Sequence, residues 1–310
     1  MKIVILAGGV GGAKFVDGAV RVLPAEDVTV IVNTGDDFEQ FGLYLAPDLD
    51  TVCYTLAGIA NAETGWGRKD ESWNALKNAA TLGGPGWFNI GDKDLGTHLE
   101  RTRRIQNGET LTAITQAFCK TWGIKAHVFP MSDSHIPTMV KVSDGSSLPF
   151  QSYFVEQQCR PMVTGFEFVG IEKATPAPGV LEAIEHCDCV IFAPSNPWVS
   201  IGPILAIKDI SNAIAKKKVI AISPIVGGKA IKGPAAKMYQ ELGIEPSAYS
   251  IARHYQGIIQ GLVIDQVDTA WAEKIQACGI IPYVTDTIMS DITARQRLAD
   301  EVMKFSLKLP

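Results

Sequence analysis

The residues in this chain best suited to chemistry are glycines, carboxylates and lysines gathered at a few short stretches. The first stretch is Ala7-Gly8-Gly9-Val10-Gly11-Gly12-Ala13-Lys14. Glycines let a backbone approach a phosphate and turn its N–H groups inward, and a following helix adds its positive end. One glycine would suffice for a tight turn, and four are present. Gly9, Gly11, Gly12 and Lys14 are therefore expected to face phosphate. The stretch is not a Walker loop, because Gly-Lys-Ser/Thr is absent. It also departs from the dinucleotide fingerprint, with Lys14 where the third glycine belongs.

Asn33-Thr34-Gly35-Asp36-Asp37 follows the next apolar run. Adjacent carboxylates beside phosphate suit Mg²⁺, a hard cation that prefers oxygen, or ribose hydroxyls. An Asx turn would explain one of the two aspartates. Asp36 and Asp37 are the expected metal ligands. Pro47-Asp48-Leu49-Asp50-Thr51 extends the acidic cluster. One of Asp48 and Asp50 is expected to cap a helix beginning near Thr51, leaving the other for ligand.

Two later stretches repeat the theme. Residues 193–203 (APSNPWVSIGP) hold Ser195, Asn196 and Ser200 on a proline-stiffened path. Residues 223–234 (SPIVGGKAIKGP) hold Gly228, Lys229 and Lys232 before a proline-led helix start, the pattern of a second anion site. Plain loops are the competing reading of both. In residues 86–98 (GWFNIGDKDLGTH), Trp87 and Phe88 can stack on a planar ring, and Asp92, Lys93 and Asp94 can contact hydroxyls or phosphate. His98 reads as structural. His127, His135, His186 and His254 form no zinc-ligand spacing.

The elements positioning these groups follow from apolar runs. Residues 2–6 and 28–32 read as buried parallel strands with a helix over 13–22 between them, a βαβ opening. Helical patterns fill 51–60, 70–80, 94–106 and 110–122. Strands are expected at 126–130, 138–142 and 151–155, the last two as a hairpin. Beyond 179 the α/β rhythm returns, with strands at 189–193, 218–223, 262–265 and 281–285 and helices at 179–186, 203–216, 234–242 and 289–305. The expected fold is α/β: a doubly wound, mostly parallel, Rossmann-like sheet forming a single domain over 1–310, with a mainly helical insertion at about 48–125. The stretches at 7–14, 33–37, 193–203 and 223–234 then each follow the carboxyl end of a strand, the edge where open α/β sheets bind ligands.

Composition narrows the classes. A hydrophobic content of 46% permits a full core, and a net charge of −5 argues against nucleic-acid binding. No targeting segment and no apolar run of about 20 residues is evident, so a cytoplasmic chain without a membrane partner is expected. Six cysteines without CxxC spacing read as buried thiols, with a metal or redox pair at Cys187/Cys189 as the alternative.

Taken together, AGGVGGAK, NTGDD, GLYLAPDLDT, residues 87–98, APSNPWVSIGP and PIVGGKAIKGPA resemble the 2-phospho-L-lactate transferase family of coenzyme F420 biosynthesis. They occur in family order over about three quarters of the chain. Lys93 departs from the family, where arginine is frequent; the charge survives but the bidentate fork does not. The resemblance implies transfer of a phospholactyl or phosphoenolpyruvyl group from a lactyl- or enolpyruvyl-diphospho-guanosine to the ribityl hydroxyl of the deazaflavin Fo, releasing GMP with Mg²⁺ as cofactor. It implies that Asp50, with Lys93, Trp87 and Asp48, handles Fo, that Asp50 and Asp36 are catalytic, and that the glycine and lysine stretches grip the donor. A homodimer is expected. Competing readings are a nucleotide-sugar nucleotidyltransferase, whose usual Gly-Thr-Arg continuation is missing, and a non-catalytic nucleotide-binding regulator. An NAD(P) oxidoreductase is disfavoured by Lys14.

Overall fold

A computed structural model describes residues 1–309. Seven parallel strands form the central sheet: β1 (Ile3–Ala7), β2 (Val28–Val32), β3 (His127–Pro130), β4 (Cys189–Phe192), β5 (Val219–Ile222), β6 (Gly261–Asp265) and β7 (Ile281–Thr285). Their order is β7-β6-β5-β4-β1-β2-β3. The chain winds outward from β1 to β3, returns to β4 beside β1, and winds the other way. The order therefore reverses between β1 and β4, and the crevice beyond their carboxyl ends is where such a sheet takes a ligand.

Burial on both faces explains the apolar runs. Ile3, Ile5 and Ala7 of β1 face one core, with α1 (Gly9–Val22), α2 (Pro47–Leu56) and the C-terminal helix Ile292–Ser306. Val4 and Leu6 face the other, with the helices after β3. Between β2 and β3 lie a short hairpin (Phe38–Gln40 with Leu43–Leu45), α2, α3 (Asn74–Thr81), α4 (Asp92–Gln106) and α5 (Leu111–Thr121).

Four local expectations change. The glycine stretch is not a loop: α1 begins at Gly9, so its glycines form the first helical turn. Helix α2 begins at Pro47 rather than near Thr51, because proline pre-sets the helical φ at the first position. Asp48 and Asp50 thus sit inside the first turn, and neither side chain caps it. Residues 203–216 split into two helices, Gly202–Ala206 and Lys208–Ile214, at Ile207, whose backbone is extended. Residues 151–155 are not a strand. The hairpin closes sooner, pairing Thr138–Val142 with Ser147–Pro149, and Ser152–Glu156 forms a π-helical turn. Phe150 and Phe154 stack at 5.5 Å, and Phe150 and Tyr153 are buried in a third small core. That spacing is helical, and it overrides the alternation of Tyr153 and Val155. The third strand of this antiparallel sheet is Val163–Phe168.

The cysteines are unpaired. Cys187 and Cys189 are buried separately, with their thiols on the carbonyls of Ile184 and Val190.

Candidate active site

A cavity of about 470 Å³ opens at the switch point, lined by the first turn of α1, the loop after β4, α2, α4 and the segments around Trp66, Phe150 and Lys232. Close packing explains its glycines. A Cβ on Gly8 would lie 2.5 Å from Asp48 Oδ2, on Gly11 2.5 Å from the Pro194 carbonyl, and on Gly12 2.7 Å from Ser195 Oγ. Only Gly9, at φ +63°, needs glycine for conformation. Ser195 staples the two loops, accepting from Gly8 N–H (3.1 Å) and donating to Gly8 O (2.7 Å). Asp48 occupies part of the helix terminus, accepting from Gly9 N–H at 2.7 Å and from Asn33 Nδ2 at 2.9 Å.

The acidic wall is short of positive charge. Asp36 lines the cavity, and its buried Oδ1 has no partner. Burial, then the charge of Asp48, pushes its pKa well above the usual carboxylate range. Burial also pushes Asp48 up to about 6, against the bonds from Asn33 and Gly9. Burial raises Asp37 likewise, but its Oδ2 accepts from Tyr44 OH at 2.8 Å and it lies outside the lining.

Helices α2 and α4 meet along a polar seam. Asp50 and Tyr54 lie four residues apart on α2; Asp94, His98 and Arg101 share one face of α4. Buried Arg101 grips Asp50 with both terminal nitrogens, Nη1 to Oδ2 at 3.0 Å and Nη2 to Oδ1. Asp50 and the burial-opposing Coulomb attraction keep Arg101 firmly charged. Tyr54 OH donates to Asp94 Oδ1 at 2.6 Å. His98 stands between, Nδ1 3.7 Å from Asp50 Oδ2 and Nε2 3.5 Å from Asp94 Oδ2. Burial works against the charge on Asp94, but His98 and Tyr54 more than offset it and hold its pKa below the usual range.

The structure brings Gly9, Gly11, Ser195, Asn196, Lys232, Asp36, Asp48 and Asp50 to this one cavity. It places others outside. Gly12 packs beneath the turn. Lys14 Nζ donates to the Met289 carbonyl at 3.1 Å; burial, then Arg295 and Lys232, lower its pKa. Gly228 and Lys229 belong to a hairpin turn away from the cavity. Lys93 is exposed, with Nζ 3.3 Å from the Lys69 carbonyl, because it lies about 100° around α4 from Asp94. Trp87 packs on Phe38 and Phe88, and it is Phe88 that reaches the cavity. Tyr54, Trp66, Phe150, Phe154 and the Arg101 clamp escaped the sequence reading. The i, i+4, i+7 polar stripe Asp94-His98-Arg101 was the available signal for the clamp.

A Rossmann-like α/β sheet with an acid-walled cavity at its switch point defines the class: an α/β protein with a nucleotide-scale ligand site. The crystal structure of protein BH3568 from Bacillus halodurans shares the fold, with a TM-score of 0.64 at 16% identity over 97% of this chain and 99% of that one. The family model described as 2-phospho-L-lactate transferase CofD matches residues 3–302, and the chain belongs to that family. Phosphoenolpyruvate transferases of Streptomyces griseus and Streptomyces coelicolor are 44% and 43% identical to it, covering 99% and 98% of this chain and 98% and 97% of theirs. That of Thermobifida fusca is 39% identical over 100% of this chain and 99% of its own. The protein is a transferase that moves a phospholactyl or enolpyruvyl phosphate group in coenzyme F420 biosynthesis. No helix among the described residues is long and apolar enough to cross a membrane.

Proposed function

We propose that the acceptor is the ribityl hydroxyl of Fo, that the donor is an enolpyruvyl- or lactyl-diphospho-guanosine, and that GMP leaves. The observation that carries this reading is the mixed lining of the cavity. Trp66, Phe88, Phe150 and Phe154 supply aromatic surface suited to a flat tricycle, and Asp36, Asp48, Asp50 and Asp94 supply carboxylates suited to a polyhydroxy chain. The names of the relatives favour the enolpyruvyl donor.

The residues fit Mg²⁺. The unpartnered Oδ1 of buried Asp36 and the charge coupling between Asp36 and Asp48 mark carboxylates short of a cation. Asp36 with Asp48 would hold it, because both line the cavity, whereas Asp37, which also keeps its Oδ1 without a partner, gives Oδ2 to Tyr44 and lies outside the lining. When bound, the ion neutralises charge on the transferring phosphate. Asp50, pinned by Arg101, orients the hydroxyl as an acceptor. Asp36 takes the hydroxyl proton through the oxygen it does not give to the ion. The hydroxyl oxygen then bonds to the phosphorus of the transferred group, and the P–O bond to GMP breaks. Lys232 and the N-terminus of α1 draw the donor diphosphate. The chain is further proposed to act as a homodimer in the cytoplasm; a monomeric mass in solution would remove the dimer.

The test is incubation with Fo, Mg²⁺ and each donor, read by mass analysis for GMP and the phosphodiester. Turnover is expected with the enolpyruvyl donor at least, and no product with any divalent ion refutes the reading.

A further inference from the structure

We propose that His98 is a substrate-contacting residue, held by Arg101 as the Nε2–H tautomer so that this N–H donates to an oxygen of the bound reactants. The inference rests on the transferase reading above and adds a residue to it.

The argument begins with Arg101, which has donors and no acceptor. Its Nη1 lies 3.3 Å from His98 Nδ1. A neutral ring beside that guanidinium must turn its lone pair toward it, so the ring proton sits on Nε2. Asp50 Oδ2, at 3.7 Å from Nδ1, is too far to draw a proton there, and both its oxygens already serve Arg101. On the other side, Asp94 Oδ2 stands 3.5 Å from Nε2, close enough to act on it but too long for a normal hydrogen bond, and Nε2 is left buried without a well-formed one. His98 is 3% exposed, yet it forms part of the cavity wall. A buried N–H without an acceptor is costly, and an oxygen-rich ligand in the cavity removes that cost. Arg101 is then a positioning residue: one side chain fixes the carboxylate of Asp50 and the tautomer of His98 together.

Asp50, Asp94 and His98 also bring one ligand atom each within 4.8 Å of one another, a grouping a metal could use. Arg101 already fills the cation position at Asp50, so the geometry favours a hydrogen-bond donor there over a metal ligand.

Two oxygen sources share this chemistry, the acceptor hydroxyl and the transferring phosphoryl group. Histidine ¹⁵N NMR on the wild-type protein, without substrates, is expected to show His98 protonated on Nε2. Protonation on Nδ1, or loss of the Nε2 proton on adding Mg²⁺, overturns the proposal whatever the protein's activity. Kinetics with Fo, Mg²⁺ and the enolpyruvyl donor follow. Wild-type failure to release GMP refutes the transferase reading and leaves the tautomer result standing. Given turnover, His98→Gln, whose amide N–H reaches the Nε2 position, should keep at least about a tenth of the rate, while His98→Leu and His98→Asn should lose about 100-fold, the usual loss for one preorganised donor. A raised KM for Fo assigns the contact to the hydroxyl, and a fall in kcat alone assigns it to the phosphoryl oxygen. Equal activity in all three variants, or an equal loss in His98→Gln and His98→Leu, overturns the contact. Arg101→Lys should keep the Nε2–H signal.

Discussion

The two glycine-rich stretches look alike in sequence and differ in physical purpose. At Gly8–Gly12 the glycines are hemmed in by neighbours: a Cβ would strike Asp48, Pro194 or Ser195 at three of the four, and only Gly9 has positive φ. At Gly227, Gly228 and Gly233 all three have positive φ, and nothing stands within 3.4 Å of the missing Cβ. The first stretch is glycine because three chain segments converge; the second because the backbone must turn left-handed. The convergent side is where carboxylates lose water and hold their protons more tightly. The open side carries Lys232, whose Nζ reaches across to the Thr64 carbonyl at 2.8 Å and ties the cavity's two rims.

This contrast can be broken at several points. On the convergent side, Asp36→Asn should lower kcat by about 100-fold or more, the lower range for removing a positioned acid–base group; a wild-type kcat in steady-state assays would sink the role given to Asp36. Gly11→Ala should destabilise by about 1–3 kcal/mol, since its obstacle is backbone and cannot rotate away. Denaturant melts that match wild type would show that the loop after β4 yields freely.

The desolvated carboxylates also give a pH signature. Asp36, Asp37 and Asp48 titrate higher in the folded chain than in the unfolded one, Asp48 at about 6. The folded state therefore binds protons more tightly, and the cluster's contribution to stability falls as pH rises from about 4 through 6. Mg²⁺ favours the ionised forms, so its stabilisation should be larger at pH 7.5 than at pH 5, by a few degrees in Tm at saturating ion. Identical Mg²⁺ shifts at both pH values would remove the ion from this wall.

The open side should respond more gently. Lys232→Ala is expected to raise the donor KM several-fold with little change in kcat, because an exposed lysine attracts phosphate through screened charge. A collapse of kcat instead would make the rim contact part of the chemistry. Gly233→Ala, with nothing within 4 Å of its Cβ, should cost only about 1 kcal/mol, the penalty of a left-handed alanine. A loss as large as that of Gly11→Ala would erase the distinction between the two stretches.

Much of this was readable beforehand. Apolar runs mark all seven central strands; the inner five are buried on both faces and so nearly continuously hydrophobic, while the edge strands β3 and β7 are partly exposed. The acidic, glycine and Ser195-Asn196 stretches were recognisable since each ends one of those strands. Side-chain direction was less accessible. Trp87 and Phe88 are neighbours in sequence, and only Phe88 enters the cavity; Lys93 and Asp94 are neighbours on α4, and only Asp94 does. Phe150 and Phe154 were hidden by an alternating pattern that suits a strand.

By itself, the order of residues determined the sheet, the edge at which ligands gather and the chemical kinds of group placed there, because these depend on local hydrophobic period and turn chemistry. Tertiary structure alone decided which carboxylates stay free. Arg101 takes both oxygens of Asp50, Tyr44 takes one oxygen of Asp37, and Asp36 and Asp37 each keep an oxygen without a partner. Those pairings join residues up to 51 positions apart, and they depend on how α2 and α4 rotate against each other, which no local pattern encodes.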